Sequence, residues 1–469
     1  MKRLGMRKMT GVAMLLSIAC TLGTAQLDVE KESLEIRKIY DEVLTSAQCY
    51  QWLEGLTQGV GPRLSGTPGA AAGVEYMRQI MQDLAMDTVY LQSCMVPLWD
   101  RGPLEEQARI IGSSLLGSED LTVTALGGSE ASADGGISAA VIEVQSLEEV
   151  EKRAAEVKGK IIFYNRPMDP KQIRTFNAYG GAVDQRGAGA SVASAHGAVG
   201  VLVRSMTTQI DDVPHTGGMY YEEGVDKIPA LSLSTVSAER LSQALKSDPD
   251  LHIYMVSDAG MREDQPSHNV IGEIRGSTYP DEIVLVGGHL DSWDIGEGAH
   301  DDGAGCVHSL EVIRTLAAIG YKPQRTLRCV LFMNEENGLR GGRKYADVSN
   351  AKGEYHLAAL ESDAGGFTPR GFSLEADAET FERKLTQIKN YDDLLRPYGL
   401  SIDVGGSGAD ISPLKSQKGL LIGFRPDSQR YFDIHHTAED TLDKVNKREL
   451  ELGAAAITSL IYLIDRYGL

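Results

Sequence analysis

From Asn269 onward, the apolar residues of the chain alternate between an extended pattern and a helical one. The extended runs, which we interpret as strands, are NVIGEI, EIVLVGGH, TLRCVLFM, HLAALESD and GLLIGF. Stretches with helical periodicity separate them. This alternation predicts an α/β domain with a largely parallel sheet.

Two helices of this region have ends that the sequence marks. One is predicted over 303–319, with Asp302 as its N-cap and Gly320 as its C-cap. The other is predicted over 447–466 and contains the apolar run LGAAAITSLIYLI, bounded by Glu451 and Asp465. That run is too short to cross a bilayer, so we expect a buried helix and no transmembrane segment.

The segment 122–257 has a different texture from the rest of the chain. It contains short β-like runs (AAVIEV, KIIFYN, GVLVRS and PALSLS) and the glycine- and alanine-rich stretch GAGASVASAHGAVG. We interpret it as a separate β-rich insertion. The preceding region, 26–121, has a helical pattern over 71–84 followed by the strand-like TVYLQSCMV, and it is expected to join 258–469 in the main domain.

The first 25 residues predict a secretory signal peptide. They begin with Lys2 and Arg3, continue with a short apolar run and end in small residues. Cleavage after Ala25 is favoured over lipid attachment at Cys20, because Ser17 stands where lipoproteins usually have a larger aliphatic residue. We therefore expect export to the periplasm or the extracellular space.

Charge and cysteine content narrow the class of protein. The formal net charge is -20 and becomes more negative when the basic leader is removed, which argues against nucleic acid and anionic membranes as partners. Four cysteines follow the leader: Cys49, Cys94, Cys306 and Cys329. Their wide separation matches neither a disulfide-dense scaffold nor a CxxC metal clamp, so we expect structural roles.

Histidines and carboxylates follow four of the predicted strands. They are His289, Asp291, Asp294, Asp301, Asp302, Glu335, Glu336, Asp363, His435 and His436. Open α/β sheets place ligands at the carboxyl ends of their strands, so these side chains are expected to converge on one edge. Imidazole and carboxylate are usual zinc ligands. A metal pair that shares one carboxylate fits five candidate ligands better than a single ion does.

The ordered motifs HLDSWD, AHDDGAG, NEENG, ESDAGG and HHTAEDT resemble those of the co-catalytic zinc peptidases, a family that includes bacterial leucyl aminopeptidases and carboxypeptidase Q. The likeness is closest to the carboxypeptidase Q members and extends over nearly the whole mature chain. It implies a zinc-peptidase domain with a mixed, mainly parallel sheet flanked by helices, interrupted by a protease-associated-like domain at 122–257. It also implies a homodimer.

The resemblance also implies a role for each residue of the site. His289, Asp301 and Asp363 would hold one zinc ion, and Asp301, Glu336 and His436 would hold the other, with Asp301 bridging. Glu335 would be the general base. Asp291 would orient the first histidine, and His435 would stand where some relatives have a tyrosine that steadies the oxyanion.

Other candidates have simpler interpretations. Asp302 is expected to cap a helix, Asp294 and Glu297 to contact water or backbone amides, and His300 to point away from the metals. The six remaining histidines lack partner spacing and are expected on the surface or in the core. The spacing of a phosphate loop is absent from GAGASVASAHGAVG. The register of a nucleophile elbow is absent from GGSGAD.

The sequence therefore predicts an exported di-zinc exopeptidase that hydrolyses dipeptides and short peptides. The insertion directly precedes the first ligand strand, where it can overhang the site and exclude long substrates. Two alternatives stay open at this point. A single-zinc glutaminyl cyclase and a non-catalytic binding module share the fold, and the metal content per chain would separate all three.

Overall fold

The computed structural model describes residues 27–84 and 86–469. The expected signal peptide over 1–25 and the alternative lipid site at Cys20 lie outside these residues. The described chain forms two sheets of eight strands each, with helices packed against them. This is a mixed α/β fold, as the alternation of patterns predicts.

The strands are numbered in chain order. They are β1 (Thr88–Asp100), β2 (Gln107–Ser113), β3 (Gly117–Leu121), β4 (Val123–Ala125), β5 (Ile137–Val144), β6 (Ile161–Tyr164), β7 (Gly200–Arg204), β8 (Ala230–Leu233), β9 (His252–Val256), β10 (Gly260–Ile274), β11 (Tyr279–His289), β12 (Arg325–Phe332), β13 (Tyr355–Glu361), β14 (Pro369–Ala376), β15 (Ser401–Val404) and β16 (Leu420–Pro426).

The α-helices are α1 (Val29–Ser46), α2 (Cys49–Glu54), α3 (Pro68–Asp83), α4 (Leu147–Lys152), α5 (Ala154–Val157), α6 (Thr175–Gly180), α7 (Asp184–Gly187), α8 (Gly189–Ala195), α9 (Thr235–Ser247), α10 (Ala304–Ala318), α11 (Arg340–Lys352), α12 (Phe381–Ile388), α13 (Asp392–Leu395), α14 (Tyr431–Ile434) and α15 (Lys447–Tyr467). Wider π-helical turns cover Gly55–Val60 and Ala299–Gly303, and short 3₁₀ turns cover Lys389–Tyr391, Arg396–Tyr398, Ser412–Gln417 and Leu442–Lys444.

The first sheet has the strand order β1-β10-β12-β11-β13-β16-β14-β15. Its four central strands, β12, β11, β13 and β16, are parallel. Antiparallel pairs connect this centre to β10 on one side and to β14 on the other. The carboxyl ends of the four central strands therefore meet at one edge, which is the arrangement that positions the site.

Helices α10 and α15 form much of the core beneath this sheet, together with α1. α10 begins one residue after the predicted start, and a carboxylate oxygen of Asp302 accepts a hydrogen bond from the backbone N–H of Gly305 in its first turn. Gly320 follows the helix with φ 73°, the left-handed conformation that lets glycine end a helix. α15 ends at Tyr467, one residue beyond the prediction.

The second sheet has the order β3-β2-β9-β5-β6-β7-β8-β4 and is built from residues 107–256. Strands β5, β6, β7 and β8 run parallel to one another. Their outer neighbours β9 and β4 are antiparallel to them, and β2 pairs antiparallel with β9. The expected insertion boundary at 122 thus falls inside the sheet. Strands β2 and β3 precede that boundary but belong to this sheet, because β2 pairs with β9. The pairing joins segments far apart in the sequence, so a local pattern does not reveal it.

The four cysteines have free, buried thiols in the described chain. All four belong to the hydrophobic core that packs against the first sheet. None of the helices that the structure describes combines the length and apolar character needed to cross a membrane.

Candidate metal centre and active site

Six of the eight predicted site residues line one cavity of about 690 Å³ at the carboxyl edge of the first sheet. They are Asp301, Glu335, Glu336, Asp363, His435 and His436. His289 is the last residue of β11 and is buried just behind the cavity wall. Parallel strands thus bring together residues that are far apart in the sequence.

One half of the cluster is built around His289. Its Nε2 atom lies 3.2 Å from Oδ1 of Asp301 and 3.5 Å from Oδ1 of Asp363. Its other ring nitrogen, Nδ1, lies 2.9 Å from the backbone carbonyl oxygen of Asp291. A carbonyl oxygen only accepts, so Nδ1 donates to it, and Nε2 is the ring nitrogen directed at the two carboxylates.

The other half is built around His436. Its Nε2 atom lies 3.2 Å from Oδ2 of Asp301 and 3.2 Å from Oε2 of Glu336. Asp301 therefore uses one carboxylate oxygen toward each histidine and stands between the two halves. A carboxylate in this position can bridge two metal ions.

Asp291 supports the site in a different way from the one expected. Its backbone carbonyl orients His289, while its side-chain carboxylate lies 3.9 Å from Nδ1. The carboxylate instead accepts hydrogen bonds of 2.7, 3.1 and 3.3 Å from the backbone N–H groups of Asn334, Glu335 and Glu336. Three amide donors on one buried carboxylate are strong enough to fix that turn, so the side chain positions Glu335 and Glu336.

His435 lies in the cavity beside the second half of the cluster. Its ring stacks on that of His436 with centroids 3.5 Å apart, and its Nε2 atom lies 3.7 Å from Oδ2 of Asp301. Its Nδ1 atom is buried and makes no hydrogen bond within the described chain. His435 is thus close to the cluster but farther from Asp301 than His289 and His436 are.

The residues that we expected to stay outside the ligand set have other partners. Asp302 accepts from the backbone N–H of His289 and Gly305. Asp294 forms an ion pair with Arg101, and the Glu297 carboxylate accepts from the N–H of Leu442. The His300 ring stacks on Phe367, and its Nδ1 accepts from the N–H of Gly366. Asp302 still lies close enough to His289 and Asp363 to share a metal-sized gap with them.

Several supporting residues were missed by the sequence reasoning. Asp440 accepts hydrogen bonds of 2.7 and 3.0 Å from the backbone N–H groups of His300 and Asp301, so it fixes the turn that carries the central carboxylate. Arg63 is fully buried and donates to three backbone carbonyls on the same stretch: those of Leu290, Glu297 and Gly298. The motifs HHTAEDT and GPRLSG contain these two residues, but sequence spacing does not reveal the atoms they contact.

The second sheet also contributes to the site. His215 Nδ1 donates to the backbone carbonyl of His435, and the N–H of Thr216 donates to that of His436. Tyr431, Phe432 and Ile434, from the helix α14 that precedes them, pack into the core of the second sheet. Hydrogen bonds from the segment between β7 and β8 therefore fix the backbone of the two histidines.

The ionisation of the cluster depends on its burial and on the short distances between its charged groups. Burial by itself raises the pKa of Asp301, but the adjacent rings of His289 and His436 hold that pKa well below its ordinary value. Burial opposes the charge on His436, yet Glu336 and Asp301 raise its pKa to about 9. Burial and the negative charge of Asp301 raise the pKa of Glu336 to about 7.

The donor set fits a metal ion. Oδ2 of Asp301 and Oε1 of Glu336 are buried without a hydrogen-bond partner in the described residues, which is costly unless a cation satisfies them. Histidine nitrogens and carboxylate oxygens gathered within a few ångströms are ligands suited to zinc, and no thiolate takes part. Fold and site together thus define a metallohydrolase of the α/β class.

Comparison with known proteins gives the family. Residues 269–461 match the model of "Peptidase family M28". Mouse carboxypeptidase Q is 33% identical over 417 residues, which cover 88% of this chain and 85% of the mouse protein. The chain belongs to peptidase family M28. The predicted resemblance and the prediction of a zinc-dependent exopeptidase are confirmed at this level.

Solved structures agree with the family. The crystal structure of the peptidase M28 precursor from Shewanella amazonensis SB2B is 34% identical and superposes with a TM-score of 0.86, covering 93% of this chain and 97% of that one. The zinc aminopeptidase BSAP from Bacillus subtilis is 21% identical with a TM-score of 0.64 and covers 88% of this chain and 94% of that one. At this lower identity, the second likeness shows a shared fold.

Proposed function

We propose that this protein is a di-zinc exopeptidase that hydrolyses dipeptides and other short peptides. The observation that carries the proposal is the central position of Asp301, with one carboxylate oxygen toward each of two histidines. His289, Asp301 and Asp363 would hold one ion, and Asp301, Glu336 and His436 would hold the other. This arrangement uses all five ligands, whereas a single-zinc glutaminyl cyclase would leave part of the cluster without a role.

The catalytic chemistry follows from the side chains around the cavity. Zinc ions held by this cluster would supply Lewis acidity, which would polarise the scissile carbonyl and make the attacking water more acidic. Glu335 lies at the cavity wall and would take the proton from that water and deliver it to the leaving amine. Burial and the neighbouring carboxylates raise the pKa of Glu335 above its ordinary value, so this group holds a proton more tightly than an exposed glutamate does.

Two neighbours would assist Glu335. The Asp291 carboxylate fixes the backbone of 334–336 through three N–H groups, so it would hold Glu335 at the correct distance from the substrate. His435 would donate a hydrogen bond from its ring to the oxygen on which negative charge develops. Its position beside Asp301 and its unpartnered Nδ1 atom support this role.

Selection for short substrates would come from the second sheet. We propose that this sheet, built from residues 107–256, corresponds to the protease-associated-like insertion that the sequence pattern predicts at 122–257. Its residues Gly127, Tyr179, Arg186, Met219 and Tyr220 line the cavity opposite the ligands. A wall on that side limits the length of chain that reaches the metals and excludes water from them.

Location and assembly are part of the same proposal. Export would follow removal of the leader over 1–25, and the enzyme would act in the periplasm or outside the cell. The family resemblance supports a homodimer. Short peptides are the proposed partners, and the acidic charge gives no reason to expect nucleic acid.

Glu335→Gln tests the proposed mechanism. The substitution removes the proton acceptor and leaves every proposed ligand in place, so kcat on a dipeptide should fall by about 10²- to 10⁴-fold. Metal analysis of the same preparation should still find two zinc ions per chain. Glu263→Gln, at an exposed position on β10, is the matched control and should keep normal activity. A Glu335→Gln enzyme with near-normal kcat would refute the mechanism.

A further inference from the structure

The second sheet places one arginine inside the catalytic cavity. Arg186 belongs to the short helix α7 and is 7% exposed. Its side chain lines the cavity together with Glu335, Glu336, His435 and His436. A permanently charged group is therefore buried at the place where the substrate is expected to bind.

Arg186 has few partners for a buried cation. Nη2 donates a hydrogen bond of 2.6 Å to the hydroxyl oxygen of Tyr179, whose ring also lies near the guanidinium. Nε and Nη1 are buried without any hydrogen-bond partner among residues 27–84 and 86–469. Over the same residues, no carboxylate oxygen lies within 4.0 Å of the guanidinium.

The other buried arginines of the described chain have the partners that Arg186 lacks. Arg204, Arg325 and Arg328 each form an ion pair with a glutamate. Arg63 donates to three backbone carbonyls. Burying a cation without such compensation is costly, and the cost is justified where a ligand supplies the missing anion.

Arg186 also lies close to one of the two histidines of the metal cluster. A methyl group built on Gly217 would collide with Nη1 of Arg186 and would lie 2.7 Å from Nδ1 of His436. Gly217 has φ 138°, a conformation that residues other than glycine rarely adopt, so both its backbone conformation and its close neighbours require glycine here. The guanidinium of Arg186 and the ring of His436 therefore both pack against Gly217, which places the cation beside the proposed ligands.

We propose that Arg186 binds the free C-terminal carboxylate of the peptide substrate, with the Tyr179 hydroxyl as a second donor. Tyr179 accepts from Arg186 through its oxygen, which leaves its own proton for the same carboxylate. The inference rests on the proposed peptidase function and deepens it, because it makes the enzyme select peptides whose cleaved bond lies close to a free carboxyl end. A carboxylate suits the site because it supplies a full negative charge and several acceptor positions.

The kinetic test compares a free dipeptide with its C-terminal amide. The wild-type enzyme should hydrolyse the free dipeptide with a kcat/KM at least about tenfold higher than the amide. Arg186→Gln should lower kcat/KM for the free dipeptide by about 10- to 100-fold while changing that for the amide by less than about twofold. Arg186→Lys should retain part of the preference, and Tyr179→Phe should weaken it.

Arg240→Gln is the matched control, because Arg240 forms an exposed ion pair with Glu119 on the same sheet and does not line the cavity. It should keep the full preference. Equal losses on both substrates in Arg186→Gln would overturn the proposal, since the guanidinium would then act on the reacting carbonyl or on the fold. A wild-type enzyme indifferent to amidation would overturn it as well.

Equilibrium binding separates this inference from the proposed reaction. Calorimetry on zinc-loaded Glu335→Gln measures the Kd of the free dipeptide and of its amide without turnover. Adding Arg186→Gln should raise the Kd of the free dipeptide by about 10- to 100-fold and leave that of the amide unchanged. If wild type fails to hydrolyse either peptide but this selective loss of binding occurs, the reaction is wrong and the carboxylate site stands. Absence of the selective loss refutes the site.

Discussion

Asp301 differs from the other acidic residues of the site because both of its carboxylate oxygens face histidine nitrogens. Oδ1 lies 3.2 Å from Nε2 of His289, and Oδ2 lies 3.2 Å from Nε2 of His436. Asp363 approaches only His289, at 3.5 Å. A residue between two cations neutralises part of the repulsion between them, so its loss should affect both.

Replacing these two carboxylates by alanine distinguishes their roles. Asp301→Ala should leave fewer zinc ions per chain than Asp363→Ala, because only Asp301 is proposed to touch both. Metal analysis by mass spectrometry after dialysis measures the content. Asp294→Ala is the control, since Asp294 pairs with Arg101 and should leave the metals in place. A loss of one ion in both Asp301→Ala and Asp363→Ala would contradict the bridging position.

At the scale of elements, β13 is tied to its neighbours by a buried histidine. His356 is 1% exposed, and its Nδ1 atom lies 2.9 Å from Oε1 of Gln417. Its Nε2 atom lies 2.7 Å from the hydroxyl of Tyr345 on α11. The ring thus joins a strand, a helix and the 3₁₀ turn Ser412–Gln417 in its neutral form. Burial lowers the pKa of His356 to about 4.

This histidine should make the fold sensitive to acid. The unfolded chain binds the proton at a pKa of about 6.5, so the stabilising effect of the buried neutral ring is complete above that pH. It is lost as the pH falls from about 6.5 to about 4, at a cost of at most about 3 kcal/mol. Urea unfolding of wild type and His356→Gln at pH 7, 5.5 and 4 measures this.

The variant should lose less stability over that range, because glutamine does not take up the proton. His252→Gln, at an exposed position on β9, serves as the control and should follow wild type. Parallel curves for wild type and His356→Gln would show that other groups determine the acid sensitivity.

At the scale of the whole molecule, the site lies between two sheets. The first supplies the proposed ligands from its strand ends, and the second supplies the opposite wall of the cavity. Hydrogen bonds from His215 and Thr216 to the backbone carbonyls of His435 and His436 connect the two parts of the molecule directly. The cavity of about 690 Å³ has the size of a small-ligand pocket, well below what a folded protein chain would need.

We therefore expect hydrolysis of dipeptides and short peptides but no internal cleavage of long chains. Incubation of the zinc-replete enzyme with an unfolded protein such as casein, followed by mass spectrometry, should show no internal fragments. A free dipeptide in the same buffer should be consumed, which serves as the positive control. Efficient internal cleavage of casein would contradict the exopeptidase specificity. It would still be consistent with a zinc-dependent hydrolase.

Local patterns in the sequence were enough to predict the main strands and helices of the first sheet and the residues that gather at its edge. Parallel strands have a local signature, a short apolar run followed by a polar residue, so His289, Glu335, Asp363 and His436 could be placed together without coordinates. The helix end at Gly320 is equally local, because it depends on one residue that tolerates a positive φ. Family motifs then supplied the proposed roles.

Features that depend on contacts between distant segments are visible only in the folded protein. The carbonyl of Asp291, rather than its side chain, orients His289 because the carboxylate is taken by three amides of another loop. The second sheet begins at Gln107 because β2 pairs with β9, far along the chain. Arg186 enters the cavity only when the two sheets come together. Such contacts have no fixed spacing in sequence, because the fold brings their partners together.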